Sequence, residues 1–529
     1  MARRYAMKYG CARFLTGTLC LALAACGGGG GGDSGGGDGG GSWTPGLFLP
    51  SSSFAAQCSA PRSGIDPETG QPYPDLQGSV LDENNFLRSW SDETYLWYDE
   101  IADQDPAGFN DPLVYFDDLR TFATTPSGAD KDKFHFTYPT DEWFELSQSG
   151  VSAGYGAAWV ILAPVPPREA VVAYIEPNSP AAAANLARGA RVLSVDGAQV
   201  LDGPPAILNA GLFPESDGET HTFVVEDLGS GGNTRSITMT SEKVTAAPVQ
   251  NVKTVASPIG TVGYLLFNDH IATAEEALID AVEQLASAGI DELVLDIRYN
   301  GGGYLAIASQ VAYMIAGDAR TAGQTFEEIQ FNDKHPSTNP VTGQPLQPYP
   351  FLDTTAGFSS LPSGTPLPAL DLERVVVITG PNTCSASESI MNSLRGVDVE
   401  VIQIGSTTCG KPYGFYPTDN CGTTYFTIQF RGVNDKGFGD YTDGFSPFNT
   451  ALVEGELVPG CSVADDFENA LGDPLEKRFQ SALAYLETGS CPTPSGVTAP
   501  GLSKTKALLS ATDGLMPKSP WRENRILRR

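Results

Sequence analysis

The sequence predicts an α/β core, a mostly parallel sheet with crossover helices, joined to a β-rich domain and a small N-terminal helical domain. Three observations carry this. From residue 260 onward, strand-length apolar runs alternate with amphipathic helical segments, as β-α-β units require. Between 147 and 246, short strands are separated by turns marked with glycine and proline. From Leu81 to Leu146 the text is rich in Trp, Tyr, Phe and Leu among acids, which reads as helical.

The elements follow in chain order. Arg3, Arg4, Lys8 and Arg13 precede an apolar run from Phe14 to Ala25, too short for a mature transmembrane helix. The run ends in Leu23-Ala24-Ala25-Cys26, which resembles the lipobox of bacterial lipoproteins. That resemblance implies cleavage before Cys26, acylation of its thiol, and a lipid anchor in the bacterial cell envelope, outside the cytoplasm, in the periplasm or outer membrane. An ordinary secretory peptide cut near Ala25 is the alternative. The signal thus spans 1–25, a Gly/Pro/Ser-rich tether 26–75, and the helical domain 76–146.

Composition narrows the partners. The 529 residues carry 63 acidic against 32 basic side chains, a net charge of -31, which repels nucleic-acid phosphates. A hydrophobic content of 41% supports real cores. No C-x-x-C occurs and only four histidines are scattered along the chain, so metal ligation is a poor expectation, and no organic cofactor is implied. Six cysteines remain beyond Cys26, an even number that suits an exported protein with disulfides. Cys409 with Cys421 is favoured because the intervening loop is short, and Cys461 with Cys491 because they bracket one helical segment.

In 147–246, Ala153-Gly154-Tyr155-Gly156 precedes an apolar strand. Then come the strand Val171–Ile175, the turn Glu176-Pro177-Asn178-Ser179-Pro180, a short alanine-rich helix, and a strand closed by the Asp196-Gly197 hairpin signal. This order resembles a PDZ domain. The resemblance implies capture of a peptide as an added strand, its C-terminal carboxylate held by the loop Gly154, Tyr155, Gly156 and Ala157. A small β domain that merely packs is the alternative.

The core spans 247–491. Val262–Phe267 is a strand. Thr273-x-x-Glu276 then caps a helix with Leu278, Val282 and Leu285 on one face and Gly289 at its end. Glu292–Ile297, Arg374–Thr379 and Val399–Ile404 are further strands. Loops that do chemistry in such sheets lie beyond the carboxyl ends of strands. Ser385 lies beyond one such end, and so does Asn300-Gly301-Gly302-Gly303. Asp473 is the expected N-cap of a last helix, Pro474 its first residue and Gly489 its stop. Residues 492–529 are polar, proline-bearing and basic at the end, and read as a disordered tail.

Ser385-Ala-Ser-Glu388 has the spacing of a capping box, and also places a hydroxyl at a helix start. A serine needs a base. Lys411, in Cys409-Gly410-Lys411-Pro412, has no acid between Glu400 and Asp419 to hold its ammonium form. A neutral lysine near pH 7 requires its pKa lowered by ~3 units, about 4 kcal/mol of bias against the charge.

The ordered set Leu295-Asp296-Ile297-Arg298-Tyr299-Asn300-Gly301-Gly302-Gly303, Ser385-Ala386-Ser387-Glu388 and Cys409-Gly410-Lys411 resembles the carboxyl-terminal processing peptidases, or tail-specific proteases, over roughly 150–490. The resemblance implies a serine endopeptidase with Ser385 as nucleophile and Lys411 as general base. The oxyanion donors would be the N–H groups of Ala386 and of Gly302, with Gly303 as the neighbouring choice. It implies protein substrates bearing accessible C-terminal tails. Cys384, beside Ser385, and Cys409, near Lys411, are also placed to be disulfide-bonded and to stiffen the site. The family's K-G-x-V-Q places a glutamine four residues past the lysine; here that residue is Phe415, leaving His270, Tyr413 or Gln429 as substitutes. That loss favours a rival reading, a scaffold lipoprotein that binds tails through its PDZ domain without cleaving them.

Overall fold

A computed structural model describes residues 43–67, 69–450 and 453–492, and the backbone of 525–526. The signal, Cys26 and the glycine tether lie outside the described residues. The core sheet has six strands: β1 Val249–Ser257, β2 Gly260–Phe267, β3 Glu292–Asp296, β4 Arg374–Thr379, β5 Glu400–Gly405 and β6 Gly460–Ser462, in spatial order β1 to β6. β1 and β2 pair antiparallel and all later neighbours are parallel. The mostly parallel sheet expected from the sequence is therefore what forms.

Successive residues of a strand face opposite sides, and both sides here are covered. Leu265, Leu295, Val375 and Val377 pack with helices α1 (Ala274–Ser287), α2 (Leu305–Ala316) and α3 (Ala386–Gly396). Tyr264, Val294, Val376 and Ile378 pack with Phe479 and Ala482 of α4 (Lys477–Thr488), and with Val160 and Val171 of the preceding β-rich region. A sheet buried on both faces needs continuous apolar strands such as RVVVIT.

The β-rich region contributes its own sheet, in the order Thr234–Thr240, Thr220–Glu226, Arg191–Val195, Glu169–Ile175 and Ala157–Ala163. The Asp196-Gly197 hairpin forms, with Val195 opposite Ala198. Further upstream, helices occupy Val80–Thr94, Pro112–Asp118 and Thr140–Ser149.

Several expectations need correction. The disulfides are Cys58–Cys421, Cys384–Cys409 and Cys461–Cys491, so the favoured Cys409–Cys421 pairing does not form. The reason is topological. β4 and β5 are neighbours, which brings the loops after them together, whereas Cys421 sits in the turn of a hairpin paired to Phe136–Pro139. The last helix begins at Lys477 with Glu476 as its cap, not Asp473, because the Glu476 side chain takes the Phe479 N–H. Thr273 makes no side-chain cap on α1. The segment expected as a disordered tail lies outside the described residues, apart from Pro492 and Arg525–Ile526, which form a short strand. No described helix is long and apolar enough to cross a membrane.

Candidate active site

Ser385 stands where β4 turns into α3. Its φ of 58° and ψ of -116° are a left-handed conformation that costs a non-glycine residue on the order of 1–3 kcal/mol. Neighbouring bonds hold the elbow: the Cys384 N–H and the Ser387 Oγ both donate to the Asn300 carbonyl, at 3.1 and 3.0 Å. Half of the expected capping box forms: the Ser385 N–H donates to Glu388 Oε2 at 2.8 Å. The Ser385 Oγ makes no hydrogen bond among the described residues, and the residue is fully buried. A buried hydroxyl without a hydrogen-bond partner costs about 1–3 kcal/mol.

The same carboxylate fastens Lys411. Glu388 Oε2 also accepts the Lys411 N–H at 2.8 Å, while Oε1 accepts the Gly410 N–H at 2.9 Å and the Thr408 hydroxyl at 2.5 Å. Burial pushes the Glu388 carboxyl above its ordinary value, and these hydrogen bonds pull against that shift. The disulfide Cys384–Cys409 ties the two segments covalently one residue upstream of Ser385 and two upstream of Lys411. Cys384, Glu388 and Cys409 also have the proximity of a metal-ligand set, but both sulfurs are taken by the disulfide. The Lys411 side chain is fully buried, its Nζ 4.5 Å from the Phe134 ring centre and 4.7 Å from that of Phe415. Phe415 therefore meets the lysine with a ring face where the family pattern has an amide.

Asn300 organises the glycine loop, a role the sequence reading did not assign. Its Nδ2 donates to the Phe267 carbonyl at 3.1 Å, so Oδ1 is the acceptor for the Gly302 N–H at 3.0 Å and His270 Nδ1–H at 2.9 Å. His270 is thus the Nδ1–H tautomer, and its Nε2 has no hydrogen bond among the described residues. Burial keeps the ring neutral, with its pKa lowered to about 3. Of the three substitutes for the missing glutamine, Gln429 is occupied by the Tyr416 N–H and Thr94, and Tyr413 packs on Trp97. The Gly302 N–H, being bonded to Asn300, is engaged inside the loop. Gly303 has φ 135°, and a Cβ there would lie 2.4 Å from the His270 carbonyl oxygen, so the position requires glycine. Ala386 opens α3, where backbone N–H groups lack intrahelical partners.

Arg298 of the same motif serves the frame. Fully buried, it binds Asp296, Asp465 and Glu476. Arg188, from the β-rich region, joins at the same carboxylate, bonding Asp465 at 2.7 Å and the Tyr299 hydroxyl at 2.7 Å. The residue before Asn300 is thereby tied to the β-rich region.

The second sequence-predicted site lies in that region. Gly154 ends the strand Val151–Gly154 and Ala157 begins Ala157–Ala163. The Tyr155 and Gly156 carbonyls accept the Ala181 and Glu176 N–H groups. Among the described residues strand Ala157–Ala163 has one edge unpaired in its sheet, and a cavity of about 780 Å3 touches Gly154 to Trp159, Leu212 and Phe213.

The fold and this site define an α/β protein with a buried serine at a strand-to-helix elbow and a buried lysine loop bound to the same carboxylate. Comparison with known proteins agrees. Residues 261–416 match peptidase family S41, and residues 82–138 match the peptidase S41 N-terminal domain. The chain is 31% identical over 157 residues to a chloroplastic C-terminal processing peptidase of Tetradesmus obliquus, covering 28% of this chain and 34% of that one. It is 25% identical over 281 residues to a carboxyl-terminal-processing protease of Picosynechococcus, covering 50% of this chain and 56% of the relative. The chain thus spans about a third and about half of the lengths of these relatives. A solved structure described as an S41 protease, from Bacteroides fragilis, shares the fold at TM-score 0.56 and 22% identity, covering 79% of this chain and 98% of that one. Two stretches of the chain, 82–138 and 261–416, are thus similar to domains of peptidase family S41.

Proposed function

We propose that the protein is a serine endopeptidase of the C-terminal processing type that works through a Ser385–Lys411 dyad. The observation that supports this reading is Glu388, one buried carboxylate hydrogen-bonded to the backbone of both residues. In the proposed reaction Lys411 Nζ, as the neutral amine, takes the Ser385 Oγ proton while Oγ attacks the scissile carbonyl carbon. The oxyanion is met by the N–H of Ala386, at the positive end of α3, and by Gly303, since Gly302 is engaged by Asn300. Lysine returns the proton to the departing amine, and water then hydrolyses the acyl-enzyme.

The β-rich region acts as a PDZ domain, taking an extended substrate tail along the unpaired edge of Ala157–Ala163, with the Gly154–Ala157 loop at the tail's carboxylate. Anchoring through Cys26 places the enzyme outside the cytoplasm, where cleavable tails and disulfides coexist.

The test is to incubate the full chain and its Ser385→Ala and Lys411→Ala forms with an unfolded protein bearing an apolar C-terminus. Fragments should form only with the unsubstituted chain. Cleavage by all three forms, or by none, contradicts the proposal. Phe415 in place of an amide favours a second reading, a scaffold that binds tails without cutting them; binding of the tail with no fragments from any form would select it.

A further inference from the structure

The chain's own residues 525–526 lie at this site. Arg525 and Ile526 run as a strand parallel to Gly303–Tyr304, with Arg525 opposite Gly303 and Ile526 opposite Tyr304. The same strand lies beside Tyr413–Gly414, two residues past Lys411. Its backbone therefore occupies the space between the glycine loop and the lysine loop. Gly303–Tyr304 bridges His270 on one side and, among the described residues, pairs with this strand on the other, so that second edge is the kind of backbone ladder that an extended peptide completes.

We infer that the edge of Gly303–Tyr304 is a binding site for an extended peptide strand, and that the backbone of Arg525–Ile526 is its resident ligand, competing with substrate for the cleft. The inference rests on the proposed peptidase reading for its consequence and on the strand pairing for its geometry. Two features of the chain fit it. Residues 493–529 carry seven Lys and Arg against two acids, whereas the whole chain has a net charge of -31, so the segment is drawn to the body that bears it. Cys491 is fixed to Cys461, and the stretch between it and Arg525 can reach roughly 100 Å when extended, far more than the span of a domain. A tether of that length holds the segment near its site at an effective concentration on the order of a millimolar.

The experiment uses the full chain carrying Ser385→Ala, with and without Ile526→Pro, which removes a backbone donor from the strand. A third form, lacking 521–529, guards against a proline that the strand tolerates. A fluorescent peptide of residues 518–529 is titrated against each and followed by anisotropy. Without its internal competitor the site should bind the peptide about ten-fold more tightly, and 0.5 M salt should weaken that binding. In forms with Ser385 intact, casein cleavage at low substrate should rise about ten-fold when the segment is removed. Equal peptide affinity in all three forms, or binding in none, overturns the docking, and casein cleavage would still stand for the peptidase. Tighter peptide binding with no casein cleavage by any form overturns the peptidase reading and leaves the docking in place.

Discussion

Cys384 and Cys409 are joined by a disulfide, which makes the residue before Ser385 and the residue two before Lys411 one covalent unit. The bond closes a loop that begins on one strand end of a parallel sheet and finishes on its neighbour. Its position, more than its loop length, ties it to the proposed dyad.

Removing it should therefore cost both stability and activity. The Cys384→Ser, Cys409→Ser double variant loses a cross-link worth about 3 kcal/mol in the chain-entropy account. Thermal melts should show a lower Tm, and kcat/KM on a casein substrate should fall even at temperatures where the variant is fully folded. A disulfide that serves stability alone would leave kcat/KM unchanged there.

Glu388 should tolerate no replacement. Its two oxygens accept from Ser385, Thr408, Gly410 and Lys411. Glu388→Gln turns one acceptor oxygen into a donor facing other donors, so at least two hydrogen bonds are lost. The expected destabilisation is about 2–4 kcal/mol by urea denaturation, with activity lost alongside.

His270 sets a pH dependence of stability. Its pKa falls to about 3 in the fold, chiefly through burial, against about 6.5 in an unfolded chain. Between those values only the unfolded state binds the proton, so the contribution is complete above pH 6.5 and is lost as pH falls toward 3. The loss amounts to about 5 kcal/mol across that interval. His135, also buried and lowered, acts in the same sense. Denaturant melts from pH 7 to 4.5 should show His270→Gln with a slope shallower by about 1.4 kcal/mol per pH unit.

The Arg188–Asp465–Arg298 cluster acts at lower pH. The two guanidinium groups hold the Asp465 carboxyl well below the usual carboxylate range, against the opposing effect of burial. A depressed pKa contributes stability above the ordinary value near 4 and loses it as pH falls further. Asp465→Asn takes from Arg188 its carboxylate, while Arg298 keeps Asp296 and Glu476, and should destabilise by about 3–5 kcal/mol at pH 7. That difference should shrink in melts taken at pH 3.

Much of this was legible in the sequence because the forces concerned are local. RVVVIT and ELVLD read as strands since both faces of a parallel sheet are buried, and the S-x-x-E spacing marks the start of α3. What stayed hidden depends on which strands become neighbours. Glu388 reads as a cap, but its bond to Lys411 exists only because β4 and β5 adjoin. The Cys58–Cys421 bridge spans 363 residues, a distance no spacing rule covers. Asn300, through Phe267 and His270, and Arg188, through Asp465, act on partners far along the chain, and no local pattern names those partners. Phe415 was legible as a departure from the family pattern, while its packing against Lys411 was not.

The central claim, that Lys411 activates the Ser385 hydroxyl, is tested most directly by covalent capture. The full chain and its Lys411→Ala form are exposed to a fluorophosphonate, and the labelled peptide is mapped by mass spectrometry over time. The account predicts a single adduct on Ser385, formed at least about 100-fold faster with Lys411 than without it. An adduct on another residue, or equal rates in the two proteins, would contradict it.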